Sequence, residues 1–140
     1  MRVVLDTNVI VAAFRSPRGA SARLVNAGRL ARIEALVSGA LFFEYEAVLT
    51  RAEHLLAAGA NANDARRFLD ALALWAKPVR IAYLWRPQLS DADDEMVLEC
   101  AVNGRAAALV SFETATFAVA APRFGIEVLT PVAFWSRINS

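Results

Sequence analysis

A chain of 140 residues fits one domain and is long enough to bury a real core. Its 57% hydrophobic content and mean hydropathy of +0.39 are apolar for a soluble protein, yet no run approaches the roughly 18 apolar residues of a membrane span, so buried strands are expected instead. A net charge of +1 gives no global attraction to nucleic acid, and the single cysteine, Cys100, excludes an internal disulfide framework. Met1 to Asp6 carries no signal-peptide pattern, so a cytoplasmic setting away from membranes is expected. Lys77 is the only lysine; the arginine bias fits phosphate binding and genome composition equally well.

In chain order, Val3-Val4-Leu5 is a short apolar run closed by an acid and reads as a buried strand. Val9 to Phe14 continues as helix, and Ser16-Pro17-Arg18-Gly19 breaks it. Ala20 to Leu30 has helical spacing, with an end expected near Gly28. Ala35-Leu36-Val37 is a second short strand. Ser38 is placed to cap one helix running through Leu49 to about Leu56. Gly59 to Asn63 is a turn, and Asp64 to Ala76 is amphipathic, with Phe68, Leu72 and Trp75 on one side, until Pro78 stops it. Val79 to Tyr83 alternates like a strand. Ser90 to Asn103 is a helix opening on a cap residue and a cluster of acids, ended by Gly104. Ala107 to Val110 is another apolar run, Thr114 to Ala121 a short helix, and Glu127-Val128-Leu129 a last strand before a helix begun by Pro131. Such alternation implies an α/β domain with a mostly parallel sheet, whose ligands bind beyond the carboxyl ends of the strands.

Acids at those ends are therefore the positions of interest. Asp6 directly follows the first apolar run; it fits a cap for the next helix and a ligand at the rim, with Thr7 and Asn8 beside it able to bond backbone or ligand. Glu44 interrupts an apolar helix, and the spacing of Leu41 and Val48 puts it beside the core-facing stripe. A carboxylate there is costly unless paired or metal-bound, although a half-exposed place at the stripe's edge also fits. The helix macrodipole accounts for Asp91 and Asp93, whereas Asp94, with apolar Leu98 and Ala101 at i+4 and i+7, points inward. Glu113 follows a strand end, as Asp6 does. Converging carboxylates repel one another, and oxygen donors without a His or Cys cluster suit Mg²⁺ or Mn²⁺, not Zn²⁺. His54, the only histidine, sits in a helical stretch among charged neighbours and reads as a surface residue; Cys100 reads as a small core residue. One histidine builds no convincing Ser-His-Asp set, and the sequence has no glycine-rich phosphate loop.

Leu5-Asp6-Thr7-Asn8, closing the first strand, resembles the opening signature of PIN domains. Ser38 to Leu49, with Glu44-Tyr45 inside, resembles their second acidic motif, and Asp91-Ala92-Asp93-Asp94-Glu95 followed by Leu98 and Ala101 the third. Ala107 to Phe117 and Phe124 to Pro131 are similar to the closing elements of VapC-type toxins. The likeness spans nearly the whole chain, in the family's order. It implies a single three-layer α/β/α PIN-like domain over residues 1–140. It also implies Mg²⁺- or Mn²⁺-dependent endoribonuclease action on single-stranded RNA, as the toxin of a type II toxin–antitoxin pair, with a cognate antitoxin and a homodimer. The family's metal and catalytic roles fall on Asp6, Glu44 and Asp94. The fourth motif departs: Glu113 takes the position of the usual Asp or Asn, and Thr116 stands where a second Asp often lies, so Glu113 completes the set in altered form.

On this reading Asn8 and Ser111 orient water or phosphate, Asp91 is an accessory acid, and Arg15 and Arg18 grip RNA. Three other readings stay open. One is a PIN-like module that holds RNA or metal but cuts poorly. Another is a receiver-like phospho-acceptor, for which Lys77 lies in the wrong region. The last is a phosphohydrolase of small phosphate esters.

Overall fold

The computed structural model describes residues 1–82 and 88–140. Its elements are β1 (Arg2–Leu5), α1 (Thr7–Arg15), α2 (Ala20–Arg29), β2 (Glu34–Ser38), α3 (Gly39–Leu49), α4 (Ala52–Ala58), α5 (Ala62–Trp75), β3 (Lys77–Val79), α6 (Ala92–Asn103), β4 (Ala108–Val110), α7 (Thr114–Phe117), β5 (Glu127–Leu129) and α8 (Pro131–Ile138). A 3₁₀ turn at Ala121–Phe124 precedes β5.

The five strands form one sheet in the order β3-β2-β1-β4-β5, with every neighbouring pair parallel. Helices flank it, giving the three-layer α/β/α architecture expected from the sequence. β1 is the middle strand, which explains its unbroken Val3-Val4-Leu5: a central parallel strand is covered on both faces, so neither face can be polar. The same holds for Ala108-Leu109-Val110 in β4. α6 packs across β1, β2 and β4, while α2 packs on α1, α5 and α8.

Several boundaries differ from the expectation for local reasons. The helix expected from Ser38 to Leu56 is two helices, α3 and α4, parted at Thr50-Arg51. Ser38 does cap α3, its Oγ accepting from the Leu41 N–H at 3.1 Å. α2, by contrast, ends at Arg29, beside the expected Gly28, and that glycine is a contact point: a Cβ there would lie 2.4 Å from Cζ3 of Trp75, so its lack of a side chain lets α2 and α5 approach. α5 starts at Ala62 behind a reciprocal capping box of Asn61 and Asp64. The third strand is Lys77–Val79, earlier than the expected 79–83; Pro78 is tolerated because β3 lies at the sheet's edge. Tyr83 lies outside the described residues. Asp91, and not Ser90, caps α6, accepting from the Asp93 N–H at 2.8 Å. The helix expected at Thr114 to Ala121 ends at Phe117. No helix among the described residues is long and apolar enough to cross a membrane.

Candidate active site

From β1 the chain passes to β2 on one side, and from β3 it returns through α6 to β4 on the other. The strand order therefore switches between β1 and β4, and the chains leaving their carboxyl ends diverge, which opens a crevice. Asp6 leaves β1 at this point, its N–H still bonded to the Val110 carbonyl at 2.9 Å. Ser111 and Glu113 leave β4 opposite it.

A cavity of about 600 Å³ fills this crevice. Asp6, Glu44, Asp94 and Glu113, the four acids singled out in the sequence, all line it. So do Thr7, Asn8, Arg15, His54 and Asp93. Arg18 is exposed and is not among the lining residues, and neither is Thr116; Asp91 serves as the α6 cap at the cavity's margin.

Asp6 is buried and turns out to be both cap and rim acid. Its Oδ1 accepts from the Thr7 N–H at 2.7 Å, and its Oδ2 accepts from the Ser111 hydroxyl at 2.7 Å. The fully buried Ser111 Oγ also accepts from the Glu113 N–H at 2.9 Å and from Asn8 Nδ2 at 3.3 Å. Its one proton and both lone pairs are thus committed within the protein. Ser111 acts by holding Asp6, Asn8 and the Glu113 backbone in register, in place of the water-orienting role expected from sequence. Asn8 reaches both Ser111 and, through Oδ1, the Phe112 N–H at 3.4 Å.

α3 brings in Glu44, half-buried, and beside it Tyr45, fully buried. The Tyr45 hydroxyl donates to the Leu5 carbonyl, which fixes α3 against the end of β1 next to Asp6. The sequence reading assigned Tyr45 no role. The signal was available: a tyrosine on an apolar stripe needs a partner for its hydroxyl. Glu46, one residue further, points away and pairs with Arg66 at 2.7 Å.

The acids disturb one another. Burial pushes the Asp94 carboxyl up to about 6, and the charges of Asp91, Asp6, Glu113 and Asp93 push in the same direction. Burial also raises Glu44, reinforced by Asp93, Asp91 and Asp6 and opposed by Arg51. Asp6 is raised by burial and by Glu113 against the lowering bonds from Ser111 and Thr7. The macrodipole reading of Asp93 was therefore incomplete, since this residue lines the cavity too. Among the described residues no group of three His, Cys, Asp or Glu side chains is placed to hold one metal ion; the carboxylates line the walls of an open cavity. All-oxygen donors under mutual repulsion fit a hard divalent cation.

This repulsion has a measurable sign. A carboxyl whose affinity for its proton is raised on folding destabilises the fold once ionised. For Asp94 the penalty is absent below 3.8 and complete above about 6. The Tm of the metal-free protein should therefore rise as pH is lowered from 7 to 5, and added Mg²⁺ should flatten that slope. A Tm that falls over the same interval would contradict the electrostatics described.

Two placements run against the sequence reading. His54, expected at the surface from its charged neighbours, lines the cavity with only 16% of its side chain exposed. The cause is the break at Thr50-Arg51, which lets α4 fold against α1. In α6, Glu95 and Glu99 are buried, which the sequence reading did not single out. Glu95 Oε1 accepts from the N–H groups of Gln88 and Leu89, so it ties the incoming loop to the helix that carries Asp93 and Asp94.

The chain is similar in structure to VapBC2 from Rickettsia felis, solved bound to a DNA fragment from their promoter. The TM-score is 0.63 at 12% identity, over 93% of this chain and 98% of that one. At that identity the likeness speaks for the fold. No curated protein matches the sequence. The sequence profile of the PIN domain matches residues 2–115, most of the chain and the whole acidic crevice up to Glu113. The chain belongs to the PIN-domain family.

Proposed function

We propose that this protein is a divalent-metal-dependent endoribonuclease that hydrolyses phosphodiester bonds of single-stranded RNA, as the toxin of a toxin–antitoxin pair. The observation that carries the proposal is the cavity at the strand switch, where five carboxylates face one another with few cations to relieve them. Asp6, Glu44 and Asp94 would hold Mg²⁺ or Mn²⁺, and Glu113 would act through water. When bound, the cation supplies Lewis acidity toward a phosphate oxygen and toward water. The chain's own residues do the positioning. Ser111 and the Thr7 N–H hold Asp6, Tyr45 holds the strand end, and Asp91 caps the helix that carries Asp94. Arg15, on the cavity wall, is placed to meet the RNA backbone.

Purified protein should cleave single-stranded RNA with Mg²⁺ or Mn²⁺ and stop when EDTA is added. Absence of cleavage with either ion, while the protein still binds that ion, would overturn the nuclease reading. It would favour a module that holds RNA or metal without turnover, the alternative suggested by Glu113 standing where the family carries Asp or Asn.

The proposed partners are an inhibitory antitoxin and a second copy of the chain. Support comes from the shared fold with VapBC2 and from exposed apolar side chains, Phe43 at 71%, Leu56 at 81% and Leu74 at 89%. Phe43 is thus no core residue, whereas Phe42 and Trp75 pack against the core. Light scattering should give a dimer, and a small protein encoded next to this one should copurify and inhibit. A monomer with no such neighbour would remove this part of the proposal.

A further inference from the structure

The only histidine of the chain stands in the acidic cavity, and the chemistry proposed above does not use it. His54 Nδ1 is buried and has no hydrogen-bond partner among the described residues. Among the described residues Nε2 has the Glu53 carboxylate at 3.9 Å, beyond hydrogen-bonding reach and largely exposed. A neutral imidazole carries one N–H donor and one acceptor nitrogen. With the ring proton on Nε2, Nε2–H is a donor that meets no acceptor within hydrogen-bonding reach among the described residues.

The position of α4 suggests what that donor serves. α1 starts beside Asp6 and ends at Arg15, and both ends line the cavity. At 1.5 Å per residue the nine residues of α1 carry the cavity wall roughly 13 Å away from Asp6, more than one phosphodiester needs. α4 packs against α1 and adds His54 to that wall, along with Val48 from α3. Arg15 and His54, the two nitrogen-bearing basic side chains of the lining, thus share the cavity with the acids.

We propose that His54 is a substrate-contact residue. Its Nε2–H donates to a phosphate oxygen neighbouring the scissile one, so that α4 sets where along a strand the acids act. This rests on the nuclease reading and adds a flanking-phosphate subsite to it. A neighbouring phosphate exists in an oligoribonucleotide and is absent from a dinucleoside monophosphate, which separates this role from a structural one.

The test compares wild type, His54→Leu and His54→Gln on both substrates with Mn²⁺. A labelled oligoribonucleotide is titrated in parallel by fluorescence anisotropy. His54→Leu should raise KM for the oligonucleotide by about tenfold or more, the worth of a hydrogen bond to a charged group, with kcat nearly unchanged. Gln offers a donor at similar reach and should recover most of the loss. Kinetics on the dinucleoside monophosphate should not move. If His54→Leu does not fold, His54→Phe fills the space without a donor and carries the comparison. Equal losses on both substrates, or none on the oligonucleotide, would overturn the proposal. If the wild type cuts neither substrate the nuclease reading fails, and anisotropy then decides about His54. A tenfold weaker complex for His54→Leu upholds the contact; unaltered binding, or no wild-type binding, ends it.

Discussion

Asp94→Asn should abolish most RNA cleavage, with kcat/KM falling at least tenfold, and at the same time raise the Tm of the metal-free protein at pH 7. The two effects have opposite sign because one carboxylate carries both. Ionised Asp94 is half-buried and opposed by Asp91, Asp6, Glu113 and Asp93, so removing its charge relieves the fold. The same charge is proposed to bind the metal, so its removal weakens the site by at least the roughly 1.4 kcal/mol that a tenfold loss represents. A residue serving only the fold would lower Tm and activity together. Asp6→Asn should match the loss of cleavage, but it is the less clean test. Both Asp6 oxygens accept hydrogen bonds, from Thr7 and Ser111, and an amide nitrogen can accept neither. Cleavage by both variants at the wild-type rate, with equal shifts in Tm on adding Mg²⁺, would rule out this site.

Glu113→Gln should cost about 10–100-fold in activity, as changes to residues that act on a metal indirectly generally do, while Glu113→Asp should retain or improve it. Glu carries its carboxylate about 1.5 Å further than Asp, one carbon–carbon bond. Mg²⁺ demands oxygens at roughly 2.0–2.1 Å in near-octahedral array, so a longer arm in a place fitted for Asp overshoots unless water fills the gap. The backbone at Glu113 is pinned by Ser111, so it cannot retreat to absorb the extra length, while the side chain stands exposed at the cavity rim. Should Glu113→Gln prove as severe as Asp94→Asn, with Glu113→Asp inactive, Glu113 would be a direct ligand.

The features that were legible in the sequence are those set by burial on a short stretch of chain. Val3-Val4-Leu5 and Ala108-Leu109-Val110 could be read as central strands because both faces are covered, and Asp6 stood out because a carboxylate ends such a run. Glu44 and Asp94 followed from helical spacing against the core stripe. What escaped depends on contacts between distant segments. The apolar pattern continues through Thr50, so the break there, and with it the packing of α4 on α1 that puts His54 in the crevice, was not legible. Asp93 looked like an ordinary helix-start acid, and only the arrival of α3 gives it Glu44 as a neighbour. The role of Ser111 depends on Asp6, a residue 105 positions away.

That separation also governs when the chain can become competent. The middle strand pairs with β2 about thirty residues downstream in sequence, but its other neighbour, β4, forms near the far end of the chain, after α6. Closing so long a loop is slow compared with winding a helix, which takes on the order of microseconds. During refolding, helical signal should therefore recover well ahead of the assembly of the Asp6–Ser111 pair. On the ribosome, a chain that lacks β4 would have Asp6 and no Ser111 to hold it, so a partly made molecule carries Asp6, Glu44 and Asp94 without Glu113 or the frame that assembles them.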